Sequence, residues 1–242
     1  MNIYISFLLG FVFLNAQEAS LPKNAPISVL SSIKTVDIEH TSEIATFDPA
    51  WVDSLSLSLP CYGVPVPKRT MRLPNAPRNY RNGTHRGLDF FANWGTPVRS
   101  VADGIVIRSD LYYEEVPADF RENLLKATTK VGYTPSDIFN NVLLGKSVFL
   151  DHGFDLIPGF RTISIYAHLS HIEKEIVPGA VVKRGELLGK SGNTGMREST
   201  IGSKAGSHLH WEMILQKGEQ EIYLGKGMSN PELYDMLFRI FN

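Results

Sequence analysis

Two closely spaced histidines near the C-terminus have the residue types and spacing of a metal site. His208 and His210 flank Leu209 in a run typical of a β-strand, and side chains two residues apart on a strand project to the same face. A rise of about 3.3 Å per residue separates their Cα atoms by about 7 Å. Both imidazoles could reach one zinc ion, or one could bind it while the other works beside it. The simpler alternative is two exposed histidines on a solvated face.

An imidazole and a carboxylate also come close together earlier in the chain. His85 and Asp89 are four residues apart, and the preceding segment 82–84 favours a turn that leads into a strand. Taken alone, the pair could be an ordinary surface hydrogen bond. Catalytic zinc sites commonly use three His and Asp/Glu ligands and leave a fourth position for water. His85, Asp89 and either His208 or His210 would fill that pattern.

Short strands must position these residues, because β-type runs punctuated by glycine dominate the chain from about residue 81. Strands of this length and spacing predict a mostly β fold (β+α) with antiparallel sheets. His168 follows the run 162–166, and a lone histidine at the end of a strand is more often structural than functional. The other predicted strands cover residues 104–107, 147–150, 180–182, 187–189 and 208–213.

Residues 110–145 interrupt the β pattern and predict a helical insertion. Pro117 suits the first turn of a helix that Gly132 can end, and residues 134–141 suit a second short helix. The insertion could be a decoration on a loop or a wall or lid of a groove.

The C-terminal segment 217–242 is predicted to be an extension with a helix. The helix begins at Ser229 or Asn230, with Pro231 at its first position. Apolar residues spaced three and four apart give it one buried face: Leu233, Met236, Leu237 and Ile240.

The N-terminal segment carries an export signal by its composition. Residues 1–19 contain an apolar stretch of about 12 residues, which suits a signal peptide and is short for a membrane span. An uncleaved anchor is the alternative. Residues 20–80, rich in proline, serine and threonine, are predicted to be an irregular arm on the domain that covers residues 81–216. With no later apolar run of sufficient length, we expect an exported protein, periplasmic or extracellular, without a transmembrane segment after signal removal.

Charge and cysteine content exclude several function classes. The 242 residues include 24 Lys+Arg and 25 Asp+Glu, so the chain lacks the basic surplus of a nucleic-acid-binding protein. One cysteine can form neither an internal disulfide nor a cysteine zinc finger. Cys61 is therefore predicted to be a buried free thiol, and any metal site must use histidines and carboxylates.

Several short motifs occur in a specific order along the chain. In single-letter code they are HxxxD at 85–89, GTPV at 95–98, ADGIV at 102–106, DHG at 151–153, YAHLS at 166–170, VKRGELLG at 182–189, GNTG at 192–195 and HLHWE at 208–212. Each motif is weak alone, but the ordered set is specific. Over residues 81 to about 215 the chain resembles the LytM/lysostaphin-type (M23) zinc metallopeptidases.

The resemblance implies an antiparallel β-sheet peptidase domain with a groove and one zinc ion. His85, Asp89 and His210 match the zinc ligands, while His168 and His208 match the two catalytic histidines beside the bound water. Tyr80 could assist the developing oxyanion, or it could be an exposed loop residue. Which of His168 and His208 acts as base or acid stays open.

The implied function is an exported zinc metalloendopeptidase acting on the peptide cross-links or stem peptides of peptidoglycan. The alternative is a non-catalytic regulator or binding module for cell-wall hydrolases, although all five family positions are filled here. A protein or glycine-rich peptide is another substrate to consider. The chain departs from the family pattern in the insertion 110–145 and in the segment 196–205, and Ser207 replaces a common proline. These departures concern substrate fit more than chemistry.

Overall fold

The computed structural model describes residues 46–241, which form antiparallel β-sheets with a few helices. The predicted signal segment lies outside the described residues. The strands are β1 (Pro77–Arg78), β2 (Gly83–Thr84), β3 (Leu88–Phe90), β4 (Pro97–Arg99), β5 (Gly104–Ser109), β6 (Val148–Asp151), β7 (Arg161–Ala167), β8 (Leu169–Ile172), β9 (Val181–Val182), β10 (Leu187–Ser191), β11 (Leu209–Lys217) and β12 (Gln220–Tyr223).

Strand β11 lies inside the largest sheet and organises it. The sheet has the order β12-β11-β7-β6-β5-β9, and β3 also pairs with β11. Every pairing in this sheet is antiparallel. A second sheet has the order β4-β10-β8, and β1 pairs with β2. The sheet continues past residue 216, because β12 pairs with β11.

The two faces of β11 carry different chemistry. Leu209, Trp211 and Met213 alternate along the strand and lie in the main hydrophobic core. The opposite face carries polar residues at its first half and Ile214 further along. A smaller apolar cluster covers that second face and joins Ile214 to residues of β7 and of the helical insertion: Phe139, Leu143, Leu144, Ile163, Ile165 and Ala167.

The helical insertion contains α1 (Ala118–Val131), the short α2 (Ser136–Ile138) and a π-helical turn, Phe139–Leu143. Gly132 ends α1 with φ of +91°, a conformation that favours glycine. Two further helices are α3 (Arg197–Thr200) and α4 (Glu232–Ile240). Helix α4 begins one residue after Pro231, and its four predicted apolar residues are all buried. The mostly β fold with a helical insertion and a C-terminal helix is therefore confirmed.

The described part of the N-terminal arm contributes to the main core. Val52, Leu57 and Leu73 are almost fully buried in the same cluster as the sheet residues. Cys61 is also buried and has no disulfide partner, and burial raises the pKa of its thiol to about 12. The predicted buried free thiol is confirmed. Among residues 46–241, no helix is long and apolar enough to cross a membrane.

Candidate metal centre

Strand pairing brings the predicted ligands together from distant parts of the chain. Strand β11 pairs with β3 in a register that places His210 opposite Asp89. His85 lies in the turn just before β3, and Gly87 lets this turn pass directly over β11. A Cβ at Gly87 would lie 2.3 Å from the Trp211 carbonyl oxygen, so a larger residue would push the turn away from the strand.

Three possible ligand atoms face one another at nearly equal distances. His85 Nε2 lies 3.0 Å from Asp89 Oδ1 and 3.1 Å from His210 Nδ1. His210 Nδ1 lies 2.9 Å from the same Asp89 oxygen. Ligand atoms at about 2.0–2.1 Å from a tetrahedral zinc ion lie about 3.3 Å apart, so the spacing suits one such ion after a small expansion.

The outer nitrogen of each candidate ligand histidine is already engaged, which leaves the inner one to bind a metal ion. His85 Nδ1 donates to the Leu73 carbonyl oxygen at 2.8 Å. His210 Nε2 donates to the Glu212 carboxylate, also at 2.8 Å. In a neutral ring the inner nitrogen then carries a lone pair that can bind a metal ion. The three inner atoms lie about 3 Å apart, and this donor set fits Zn²⁺.

Charges around the three residues agree with this assignment. Burial raises the pKa of Asp89, but the charge of His85 and hydrogen bonds from His208 and His210 outweigh it and hold the pKa well below its usual value. Burial lowers the pKa of His85. Burial also opposes the charged form of His210, yet its bonds to Asp89 and Glu212 raise its pKa to about 9. The site thus favours positive charge at His210, as a proton or as a metal ion.

The other two predicted histidines lie beside this cluster. The ring centroids of His168 and His208 are 4.9 Å apart, and that of His168 is 5.6 Å from His210. His168 Nδ1 donates to the Thr194 carbonyl oxygen at 2.8 Å, and His208 Nδ1 donates to the Gly206 carbonyl oxygen at 2.7 Å. In His168 Nε2 makes no hydrogen bond to residues 46–241, and in His208 Nε2 faces Asp89 Oδ1 at 3.5 Å.

Burial and the charges of His208 and His210 lower the pKa of His168 well below its usual value. His168 is therefore a neutral imidazole. The structure brings all five sequence-predicted polar residues into one site, with two histidines beside a three-residue ligand set.

The model of peptidase family M23 matches residues 83–222 of this sequence, which is more than half of the chain. The chain belongs to peptidase family M23. The matched segment includes all five residues of the site.

Curated proteins and solved structures match part of this chain. An uncharacterised metalloprotease of Haemophilus influenzae is 31% identical over 128 residues, which are 53% of this chain and 18% of that protein. Peptidoglycan DD-endopeptidase ShyA of Vibrio cholerae is 28% identical over 140 residues, 58% of this chain and 22% of ShyA. The match thus spans about a fifth of each relative. The catalytic domain of lysostaphin from Staphylococcus simulans is 20% identical, with 69% of this chain and 86% of that domain covered and a TM-score of 0.34.

The M23 site opens into a cleft of about 470 Å³. Tyr80 lines this cleft and is 57% exposed. The insertion and the segment 196–205 also line the cleft. The lining residues are Arg121, Glu122 and Leu125 of α1, Phe139 and Leu143 of the π-helical turn, and Met196, Arg197 and Glu198 of the segment 196–205.

Sequence reasoning assigned no role to the charged residues that support the ligands. Arg78 Nη2 lies 3.0 Å from Asp89 Oδ2, the oxygen that does not face the histidines. Glu212 is fully buried and pairs with both His210 and Arg86, whose Nη2 lies 3.0 Å from Glu212 Oε2. Burial raises the pKa of Glu212, but the charge of Arg86 and the bond from His210 outweigh it and lower the pKa to about 2.

Alternation along β11 could have revealed Glu212, because residues 208, 210 and 212 share a face. A carboxylate that holds the outer nitrogen of a metal-bound histidine fixes its tautomer and strengthens it as a ligand. We therefore expect Glu212→Gln and Glu212→Ala to weaken zinc binding by about 10- to 100-fold.

The Glu212 variants are compared with Glu221→Gln, which changes an exposed residue of β12. A competition titration against a chromogenic chelator gives the zinc dissociation constants. Circular dichroism checks the fold, and Glu212→Gln keeps the side-chain volume where alanine would leave a cavity. Unchanged zinc affinity in folded Glu212→Gln and Glu212→Ala would show that this carboxylate does not support the ligand.

Proposed function

We propose that this M23 peptidase is an exported zinc-dependent endopeptidase that hydrolyses peptide bonds in peptidoglycan cross-links or stem peptides. The single observation that carries the proposal is the convergence of five polar side chains at the floor of one cleft. His85, Asp89 and His210 supply the ligand atoms, and His168 and His208 lie beside them.

A zinc ion bound by these three residues would polarise the substrate carbonyl and lower the pKa of the attacking water to about 7. The chain's own residues supply the remaining chemistry. Arg78 balances the charge of Asp89, and Arg86 balances that of Glu212. The positive charge of the site is therefore left to stabilise the oxyanion that develops on the carbonyl oxygen.

His168 and His208 are placed to handle the proton. Their Nδ1–H groups are held by main-chain carbonyls, so each ring can accept a proton at Nε2. One of them can accept the proton of the attacking water, and either can donate a proton to the departing amine. General acid–base catalysis of this type contributes about 10²- to 10⁴-fold.

The substrate class rests on relatives and on the cleft. ShyA is named a peptidoglycan DD-endopeptidase, and export through the proposed signal peptide, residues 1–19, would bring this chain into contact with peptidoglycan. A regulator without catalysis would not need the full set of ligands and proton carriers. Since this chain has all five, hydrolysis is the function that the site supports best.

The test is hydrolysis of purified peptidoglycan by the full chain loaded with one equivalent of zinc. We expect new amino termini, which a chelator should prevent and added zinc should restore. Mass spectrometry of the released fragments identifies the bond that is cleaved. A zinc-loaded, folded protein that releases no new amino termini would favour the non-catalytic regulator instead.

A further inference from the structure

One wall of the cleft is built from the two segments in which this chain departs from the family pattern. The first turns of α1 lie beside the segment that follows Asn193, and α1 also packs against the 3-10 turn Asn79–Arg81. Glu115, just before α1, accepts hydrogen bonds from the Gly195 N–H at 3.0 Å and from the Ser199 hydroxyl at 2.6 Å. These bonds hold the insertion and the 196–205 segment together as one wall.

Arg121, in the first turns of α1, lines the cleft and is only 8% exposed. Its Nε donates to the Gly195 carbonyl oxygen at 3.0 Å, which fixes the orientation of the guanidinium. This is the one hydrogen bond that the Arg121 side chain makes to any residue in the range 46–241. The two terminal nitrogens are thus left with their N–H groups unbonded to protein.

The positive charge of Arg121 also lacks a counter-ion in the described part of the chain, where no carboxylate oxygen lies within 4.0 Å of its guanidinium. Glu122 and Glu198 line the same cleft, but Glu122 reaches toward Arg197 at 3.8 Å. Glu115 is held by Gly195, Ser199 and Tyr113. The terminal nitrogens are not among the fully buried atoms without a partner, so they reach the solvent of the cleft. A guanidinium with two unoccupied terminal nitrogens matches the two oxygens of a carboxylate.

We propose that Arg121 binds a free carboxylate of the peptide substrate and so makes this enzyme selective for acidic peptides. The inference rests on the proposed peptidase function, because it places the carboxylate in the cleft that contains His168 and His208. The carboxylate can be a side chain or a C-terminus of the peptide. The enzyme should therefore cleave peptides that place a carboxylate beside α1 faster than peptides that do not.

The experiment uses a soluble cross-linked dimer peptide released from peptidoglycan and the same dimer with its carboxylates converted to carboxamides. A charge-assisted hydrogen-bonded pair predicts that wild-type protein prefers the carboxylate form by roughly 10- to 100-fold in kcat/KM. Arg121→Ala should reduce that preference to near unity, and Arg121→Lys should restore part of it. Lys126→Ala, which removes an exposed charge from the same helix, should keep the full preference.

Binding to the metal-free protein gives a second measurement that does not depend on hydrolysis. Isothermal titration should show that wild-type protein binds the carboxylate dimer more tightly than the carboxamide dimer, and that Arg121→Ala does not. If Arg121 only held Gly195 in place, its loss would affect both dimers equally, and the inference would be overturned.

The two proposals fail in different ways. If the wild-type enzyme cleaves both dimers at equal rates, the Arg121 inference is wrong and the peptidase function stands. If the zinc-loaded enzyme cleaves neither dimer but binds the carboxylate form selectively, the hydrolytic function is wrong and the role of Arg121 as a carboxylate ligand stands.

Discussion

Replacement of His85, Asp89 or His210 is expected to abolish stoichiometric zinc binding and, with it, peptide hydrolysis. Each residue supplies one of three ligand atoms that lie 2.9–3.1 Å apart, so any single loss leaves only two donors. Loss of a ligand should weaken zinc binding by more than about 100-fold, the upper end of the range for supporting residues. Asp89→Asn is the sharpest variant, because it keeps the side-chain shape and removes the charge.

Zinc content per protein, measured after dialysis against zinc-buffered solution, checks this prediction. His171→Ala is the matched control, since His171 lies on β8 with an exposed side chain that contacts only Glu173 among the charged groups of the described chain. The control should retain one zinc per chain. One full equivalent of zinc in both Asp89→Asn and His210→Ala would show that the ion is held somewhere else.

Local signals in the sequence predicted the strands and the composition of the site, but tertiary pairing determines its geometry. Alternation along the predicted strand placed residues 208 and 210 on one face. It left open which of them faces Asp89, and only the family resemblance favoured His210. The structure gives the physical reason, because the register of β11 with β3 joins residues more than 100 positions apart. No local pattern encodes that register.

The same limit applies to the insertion. Pro117 and Gly132 are local signals, and they delimit α1 to within a residue. The position of α1 over the cleft depends on Arg121 and Glu115 contacting the segment after Asn193, some 80 residues away. The sequence therefore predicted the helix but not its position in the fold. In the structure, α1 forms one wall of the cleft.

The supporting arginines show a further limit of sequence reasoning. Arg78 lies in the arm before the peptidase motifs, and it reaches Asp89 because β1 pairs with β2 directly beside the site. Its spacing from Asp89 in sequence suggests no contact. Assigning it a role requires the folded arm.

Loss of either proton carrier is expected to leave zinc bound and to reduce kcat by about 10²- to 10⁴-fold. His208→Ala removes an imidazole whose Nε2 faces the ligand cluster, and His168→Asn removes the one beside it. Asparagine is the better choice at residue 168, because its φ of +60° lies in the left-handed region that asparagine tolerates more readily than alanine. The variant then tests the imidazole rather than the backbone.

The two histidines lie with ring centroids 4.9 Å apart, so they can share the proton of one water, and their losses should not add. We expect the double variant His168→Asn/His208→Ala to be only slightly less active than the less active of the two single variants. Single-turnover rates with zinc content measured on the same samples give both quantities. Because His168 and His208 donate Nδ1–H to main-chain carbonyls rather than to the ligands, a loss of zinc in either variant would assign that residue to the metal site instead of to proton transfer.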